Sequence, residues 1–167
     1  MLAPMIGDRA RTAPPVLIGV GGVAWTGDRG VVYSTLLGSC IAVCLHDGET
    51  GKGGMIHFLL ARAPSENTSD TRYGDVALPL LVNNLVRVGC APERLKAIVT
   101  GGADVLSNMT PIGTENTSFA LGWLRERDLT IVKKDLGGTD ARRVRFVPST
   151  GDSVITVINA PTSSVSG

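Results

Sequence analysis

Between residues 33 and 60 the chain reads YSTLLGSCIAVCLHDGETGKGGMIHFLL. Two short apolar runs rich in branched residues, Ile41 to Asp47 and Gly54 to Leu60, flank a segment that carries Gly48, Gly51 and Gly53. Runs of this length about so glycine-rich a turn predict a pair of antiparallel strands. That pair limits the folds open to the chain, because strands this apolar must be covered by another layer. It also brings reactive side chains together. Cys40 follows a Gly38-Ser39 turn, Cys44 lies inside the first run and His57 inside the second. A thiol is a weak nucleophile until an imidazole takes its proton or stabilises the thiolate, so a cysteine and a histidine on adjoining strands are a candidate nucleophile and base.

Spacing leaves the choice of thiol open. With the turn centred near Thr50 and Gly51, His57 falls opposite Cys44 and not opposite Cys40. Cys44 sits within Ile41-Ala42-Val43-Cys44-Leu45, where a buried, inert cysteine is the ordinary outcome. Cys40 follows a turn that lets backbone amides approach a reacting carbonyl and leaves a thiol more accessible, so it is preferred. His46, beside Asp47-Gly48, is expected to be exposed in the turn and uninvolved.

On either side of this stretch the pattern alternates between strands and helices. Residues 1–15 carry Pro4, Pro14 and Pro15 with no apolar period, and read as a flexible arm. Val16 to Trp25 and Gly30 to Leu37 read as two strands joined through Thr26-Gly27-Asp28-Arg29. Pro64 to Asp70 is a polar surface loop. Tyr73 to Val88 has a helical stripe of Val76, Leu80, Leu81, Leu85 and Val88, in which Pro79 predicts a kink or a later start. Gly89 closes that helix, and Cys90 after it is a packed small hydrophobe.

Arg94 to Thr100 is a buried strand leading into Gly101-Gly102, which lacks the residues of a phosphate loop and reads as a structural turn. A second helix follows at Asn116 to Arg127, with Phe119, Ala120, Trp123 and Leu124 as its apolar stripe and a stop near Asp128. Thr130 to Leu136 is a strand, Gly137-Gly138 the turn after it, and Arg142 to Val147 with Ser153 to Ile158 a second hairpin. The alternating charges of Arg142 to Val147 predict a half-exposed strand. Residues 160–167 read as a disordered tail. The expectation is one α+β domain over residues 16–159, a layered α/β sandwich whose largely antiparallel or mixed sheet of about eight strands is covered by two main helices.

At 167 residues the chain has the size of a single domain. Sixteen Lys and Arg balance fifteen Asp and Glu, and aromatic residues make up only 4%, so neither a basic face for nucleic acid nor a stack of base-binding rings is expected. Three cysteines are too few and odd in number for a disulfide framework, and two histidines without a close cysteine pair give no zinc pattern. No apolar run approaches the length of a membrane span, so a cytoplasmic protein without membrane insertion is expected.

LGSCIAVCLHD followed by GGMIHFLL resembles the signature of the CheD family, the chemoreceptor glutamine deamidases of chemotaxis. RYGDVAL, IVTGGADVL, IGTENT and DLGGTDARRV resemble later blocks of that family in the same order, so the likeness runs from about Leu17 to Ile158. The resemblance implies a sandwich related to cysteine deamidase toxins of the cytotoxic necrotizing factor type. It implies hydrolysis of glutamine side chains of methyl-accepting chemoreceptors to glutamate, with Cys40 as nucleophile, His57 as base, no cofactor and no metal. A CheC-type phosphatase is the further partner it implies.

The third catalytic position of the family is a threonine six residues before the cysteine, which here is Ser34, with Thr35 beside it. Serine keeps the hydroxyl and is preferred, whereas Thr35 would point to the other face of a strand. Two other classes of function remain open: a non-catalytic regulator that binds receptors or the phosphatase, and a different Cys-His acyl hydrolase.

Overall fold

The computed structural model describes residues 13–105 and 110–159. The expected tail at 160–167 and most of the expected N-terminal arm lie outside the described residues. The element order is β1 (Val16–Leu17), β2 (Val23–Thr26), β3 (Tyr33–Leu37), β4 (Ile41–Asp47), β5 (Lys52–Phe58), α1 (Gly74–Arg87), β6 (Leu95–Gly101), α2 (Ile112–Glu126), β7 (Thr130–Leu136), β8 (Ala141–Phe146) and β9 (Ser153–Ile158). The α+β class stands, with the strands divided between two sheets. One has the order β2-β5-β4-β6-β7, the other β1-β3-β8-β9.

The β4–β5 hairpin is the centre of the larger sheet. Its two strands pair antiparallel from Ile41 opposite Phe58 to Asp47 opposite Lys52, and β6 pairs antiparallel on the other side of β4. β7 then joins β6 in parallel, so β6-α2-β7 is a crossover unit. The hairpin turn is pinned by Asp47, whose carboxylate accepts from the N–H groups of Glu49 and Ala91 and pairs with Arg94 at 2.9 Å. Burial opposes ionisation of Asp47, and the Arg94 guanidinium with the backbone donors outweighs it, which brings the carboxyl down to about 2.

Side-chain alternation assigns a layer to each face. Ile41, Val43, Leu45, Ile56 and Phe58 pack with Leu78, Leu81, Leu85 and Leu124 of the helices. Cys40, Ala42, Cys44 and Met55 face the other way and pack with Tyr33, Leu37, Val144 and Phe146 of the smaller sheet. The result is three layers, helices on sheet on sheet, with two main cores between them. Each large aliphatic or aromatic side chain buried in them contributes roughly 1.5–3 kcal/mol.

Several expectations need correction. The strand expected over Val16 to Trp25 is broken, because Gly21 adopts a φ of 81° and the chain changes sheets there. β1 runs parallel to β3, while β2 pairs with β5, so β2 and β3 do not form a hairpin. α1 begins at Gly74 and continues through Pro79. Its buried stripe is Ala77, Leu78, Leu81 and Leu85, whereas Leu80 and Val88 are exposed. α2 starts four residues before the expected boundary, where Asp104 accepts from the Gly113 N–H and the Thr114 hydroxyl and so supplies the end with acceptors. Arg142 is buried on the inner face of β8 in place of an exposed arginine, paired with Asp135 at 3.1 Å.

Candidate active site

His57 lies near the end of β5 on the face that looks across to the smaller sheet, the same face as Met55. Its backbone is held by β2-side contacts, donating to the Gly22 carbonyl and accepting from the Gly21 N–H. The imidazole is buried. Thr35, on the inner face of β3, meets it across the gap between the sheets, with Oγ1 2.8 Å from Nδ1. That hydroxyl donates its proton to the Ile18 carbonyl at 2.5 Å, and Nδ1 lies 3.2 Å from the same carbonyl.

Those contacts select the tautomer. Ile18 offers only an acceptor, and the Thr35 hydroxyl has spent its proton on Ile18, so Nδ1 must donate. Nε2 is left with the lone pair. It is buried and has no hydrogen-bond partner among the described residues. An unpaired buried nitrogen is costly in a purely structural histidine and useful in a general base.

Register sets Cys40 near the same end of the hairpin as His57. Ala42 stands opposite His57, so the turn centre that would set Cys44 opposite His57 is not the one formed, and Cys44 faces Met55. Cys40 stands two residues before Ala42, just ahead of β4, and packs in the same buried cluster between the sheets as Ala42 and Met55. Cys40 is 9% exposed and Cys44 fully enclosed. Burial pushes the Cys44 thiol far above its ordinary value. Burial also pushes the Cys40 thiol up, and its own backbone N–H against the sulfur offsets part of the rise. For His57 burial drives the pKa down, partly offset by the hydrogen bond to Ile18. Both shifts favour the neutral forms, thiol and imidazole, over thiolate and imidazolium.

The turn that carries Cys40 is braced from outside. The Gly38 carbonyl accepts from the Ala103 N–H at 3.0 Å and the Cys40 carbonyl from the Gly102 N–H at 2.9 Å. Gly101 has a φ of 110°, and a Cβ there would fall 2.2 Å from the Cys40 carbonyl oxygen. The Gly101-Gly102 turn is thus a close approach of one backbone to another. Gly101 in turn accepts at its carbonyl from the Gly137 N–H and the Arg142 guanidinium.

Ser34, the third expected site residue, does not meet His57. It pairs with Arg145 on the outer face of β3 and lines a groove with Leu17, Arg143 and Thr156. With a side-chain period of two, adjacent hydroxyls on a strand face opposite layers, and the inner one is Thr35. His46 is half-buried, with Nδ1 2.8 Å from the Pro148 carbonyl, and is not exposed in the turn. Sequence reasoning also passed over the Ile18 carbonyl and Asn116. Ile18 lies where the chain leaves β1, a position that no side-chain pattern marks. Asn116 is a buried polar residue at the same helical face as Ala120 and Trp123, and that spacing was the available signal.

Several large apolar side chains remain open to solvent, among them Leu36, Leu59, Leu60 and Val105. An open groove of about 620 Å³ includes Leu60, together with Arg62, Asn116 and Phe119 among others. No helix among the described residues is long and apolar enough to cross a membrane.

The family model described as CheD chemotactic sensory transduction matches residues 59–157, a segment that begins two residues after His57. A protein of Ruegeria sp. named "Probable chemoreceptor glutamine deamidase CheD 1" is 44% identical over 126 residues, which is 75% of this chain and 67% of that one. A protein of Caulobacter vibrioides named "Probable chemoreceptor glutamine deamidase CheD" is 40% identical over 141 residues, 81% of this chain and 75% of that one. A similarly named protein of Rhizobium rhizogenes is 41% identical over 128 residues, 75% of this chain and 70% of that one. With a family model matched over more than half its length and relatives at this identity, the chain belongs to the CheD family.

Proposed function

We propose that the protein is a chemoreceptor glutamine deamidase in which Cys40 is the nucleophile, His57 the general acid and base, and Thr35 the residue that orients His57. The observation that carries the assignment is the hydrogen-bond chain Ile18–Thr35–His57, which leaves Nε2 unprotonated and unpartnered on the face that Cys40 shares. Nε2 takes the Cys40 proton as the sulfur attacks the side-chain carbonyl carbon of a glutamine. The tetrahedral oxyanion forms beside the amides of Ser39 and Cys40. The imidazolium returns the proton to the nitrogen as the C–N bond breaks, and ammonia leaves a thioester. Water then gives a proton to Nε2 and its hydroxide attacks the thioester, which releases glutamate and restores the thiol.

The substrate in this reading is the cytoplasmic part of a methyl-accepting chemoreceptor, and the protein works in the cytoplasm. A CheC-type phosphatase is a further binding partner in the same reading. The test is incubation of the purified chain with the cytoplasmic fragment of a chemoreceptor, with glutamine-to-glutamate changes mapped by peptide mass spectrometry. Wild type and Cys44→Ala are expected to convert glutamine, and Cys40→Ala to convert none. Conversion that persists in Cys40→Ala would remove Cys40 as nucleophile.

A further inference from the structure

Asn116 is 1% exposed and lies on the face of α2 that packs on the larger sheet. Its Nδ2 donates both protons to backbone carbonyls, that of Ser39 at 3.0 Å and that of Leu59 at 2.9 Å. Both partners can only accept, so the orientation of the amide is fixed by the contacts themselves. Ser39 immediately precedes the nucleophile, and Leu59 lies two residues beyond the base. One side chain therefore ties the turn of Cys40 to the strand of His57.

The consequence follows from peptide geometry. In a trans peptide the carbonyl and the following N–H point to opposite sides of the chain, and no described peptide bond is cis. Asn116 draws the Ser39 carbonyl toward the helix layer. That turns the Cys40 N–H toward the opposite layer, between the sheets, where the Cys40 and His57 side chains lie. A hydrogen bond received by a carbonyl also polarises its peptide and strengthens the N–H as a donor. The flanking carbonyls of Gly38 and Cys40 are held by Ala103 and Gly102, so the Ser39–Cys40 plane has Asn116 as its own anchor.

We propose that Asn116 is a positioning residue, one that aims the Cys40 N–H at the oxyanion of the reaction and holds Cys40 in register with His57. The proposal rests on the deamidase reading for its kinetic consequence, while its consequence for the Cys40 thiol is independent of any substrate. Removing or misplacing one oxyanion donor lowers kcat by about 10²–10³ in other acyl-transfer enzymes. Here a roughly 10- to 100-fold drop is expected, since the donor is misaligned and not deleted.

The test compares wild type, Asn116→Ala, Asn116→Ser and Leu124→Ala. Leu124 is a fully buried residue of the same helix whose side chain has no donor to offer either carbonyl, so its variant reports loss of helix packing. Folding is checked by circular dichroism and thermal unfolding. Two quantities are then read: kcat and KM on a receptor fragment, and the pH dependence of Cys40 alkylation by iodoacetamide, followed by peptide mass spectrometry. Asn116→Ala is expected to lower kcat with KM within about threefold and to shift the Cys40 alkylation profile to higher pH. Asn116→Ser, which keeps one donor, should fall between it and wild type and serves if the alanine variant does not fold.

Leu124→Ala should melt at a lower temperature yet keep kcat and the alkylation profile. A folded Asn116 variant with wild-type kcat and an unshifted alkylation profile would overturn the proposal. So would an equal loss in Leu124→Ala. Absence of glutamine conversion by wild type would overturn the deamidase reading instead, and the alkylation profile would then decide on Asn116 alone.

Discussion

His57 is held at Nδ1 by an acceptor and by a hydroxyl made into one, so the threonine matters through the tautomer it enforces. Thr35→Ala is expected to lower kcat about 10- to 100-fold, the scale of a disturbed general base, whereas Ser34→Ala on the outer face should stay within about twofold. Steady-state assays of the two variants on the receptor fragment check this, and an equal loss in both would count against the orientation role. The depressed pKa of His57 sets a second expectation. Its folded value lies below the unfolded 6.5 because burial disfavours the imidazolium. The acid limb of kcat/KM should therefore fall below pH 6.5. The folded state should also lose stability as pH drops from 6.5 through the depressed value, since the unfolded chain binds the proton more readily. A pH-rate profile and urea midpoints at pH 7.5 and pH 5 measure the two effects. At this scale the sequence pointed to Cys40 and His57 through local chemistry, a thiol after a glycine turn and a histidine in the next strand. It was ambiguous between Ser34 and Thr35 because adjacent hydroxyls differ only in which face of the strand each occupies.

Among the elements, the β4–β5 hairpin was the most legible, since two branched apolar runs about a glycine-rich turn admit few alternatives. Its register was not legible, as a one-residue change in the turn exchanges every facing pair. The Gly101-Gly102 turn shows the same limit from the other direction. The glycines were visible, and the backbone they admit, that of Cys40 some sixty positions earlier in the chain, was not. Gly101→Ala forces a Cβ to within 2.2 Å of the Cys40 carbonyl oxygen at a φ of 110°. It should cost about 3 kcal/mol or more, read as a lowered urea midpoint, with a parallel loss of deamidation. The stripe of α1 was displaced for a related reason, whereas Ala120, Trp123 and Leu124 of α2 are buried as expected. Apolar residues on α1 exceed what one face can bury, so Leu80 is left exposed and Ala77 and Leu78 face the sheet.

Across the whole molecule, the arrangement that matters is the stacking of two sheets, because Thr35 and His57 belong to different ones. Arg142 is another polar tie between them. It extends from β8 of the smaller sheet to the Gly101 carbonyl and Asp135 of the larger one. Arg142→Ala should destabilise by about 2–4 kcal/mol, since it leaves Asp135 and a buried carbonyl without their charged donor. Thermal unfolding measures this, and a loss below about 0.5 kcal/mol would show the tie to be idle. The same residue explains a misreading, because the alternation RRVRFV is that of a half-exposed strand whichever face is covered.

By itself the sequence determined the α+β class, the order of most elements, the family resemblance and the two residues proposed for the chemistry. These depend on periodicity, turn residues and motif identity, all of which are local along the chain. Only the tertiary structure decided that the strands form two sheets, that His57 faces Ala42, that Thr35 holds the imidazole, and that Asn116 and Gly101 brace the turn of Cys40. Each of those relations joins residues distant in sequence through layer stacking, strand register or close backbone approach. No pattern within a single element encodes which distant backbone will lie against it.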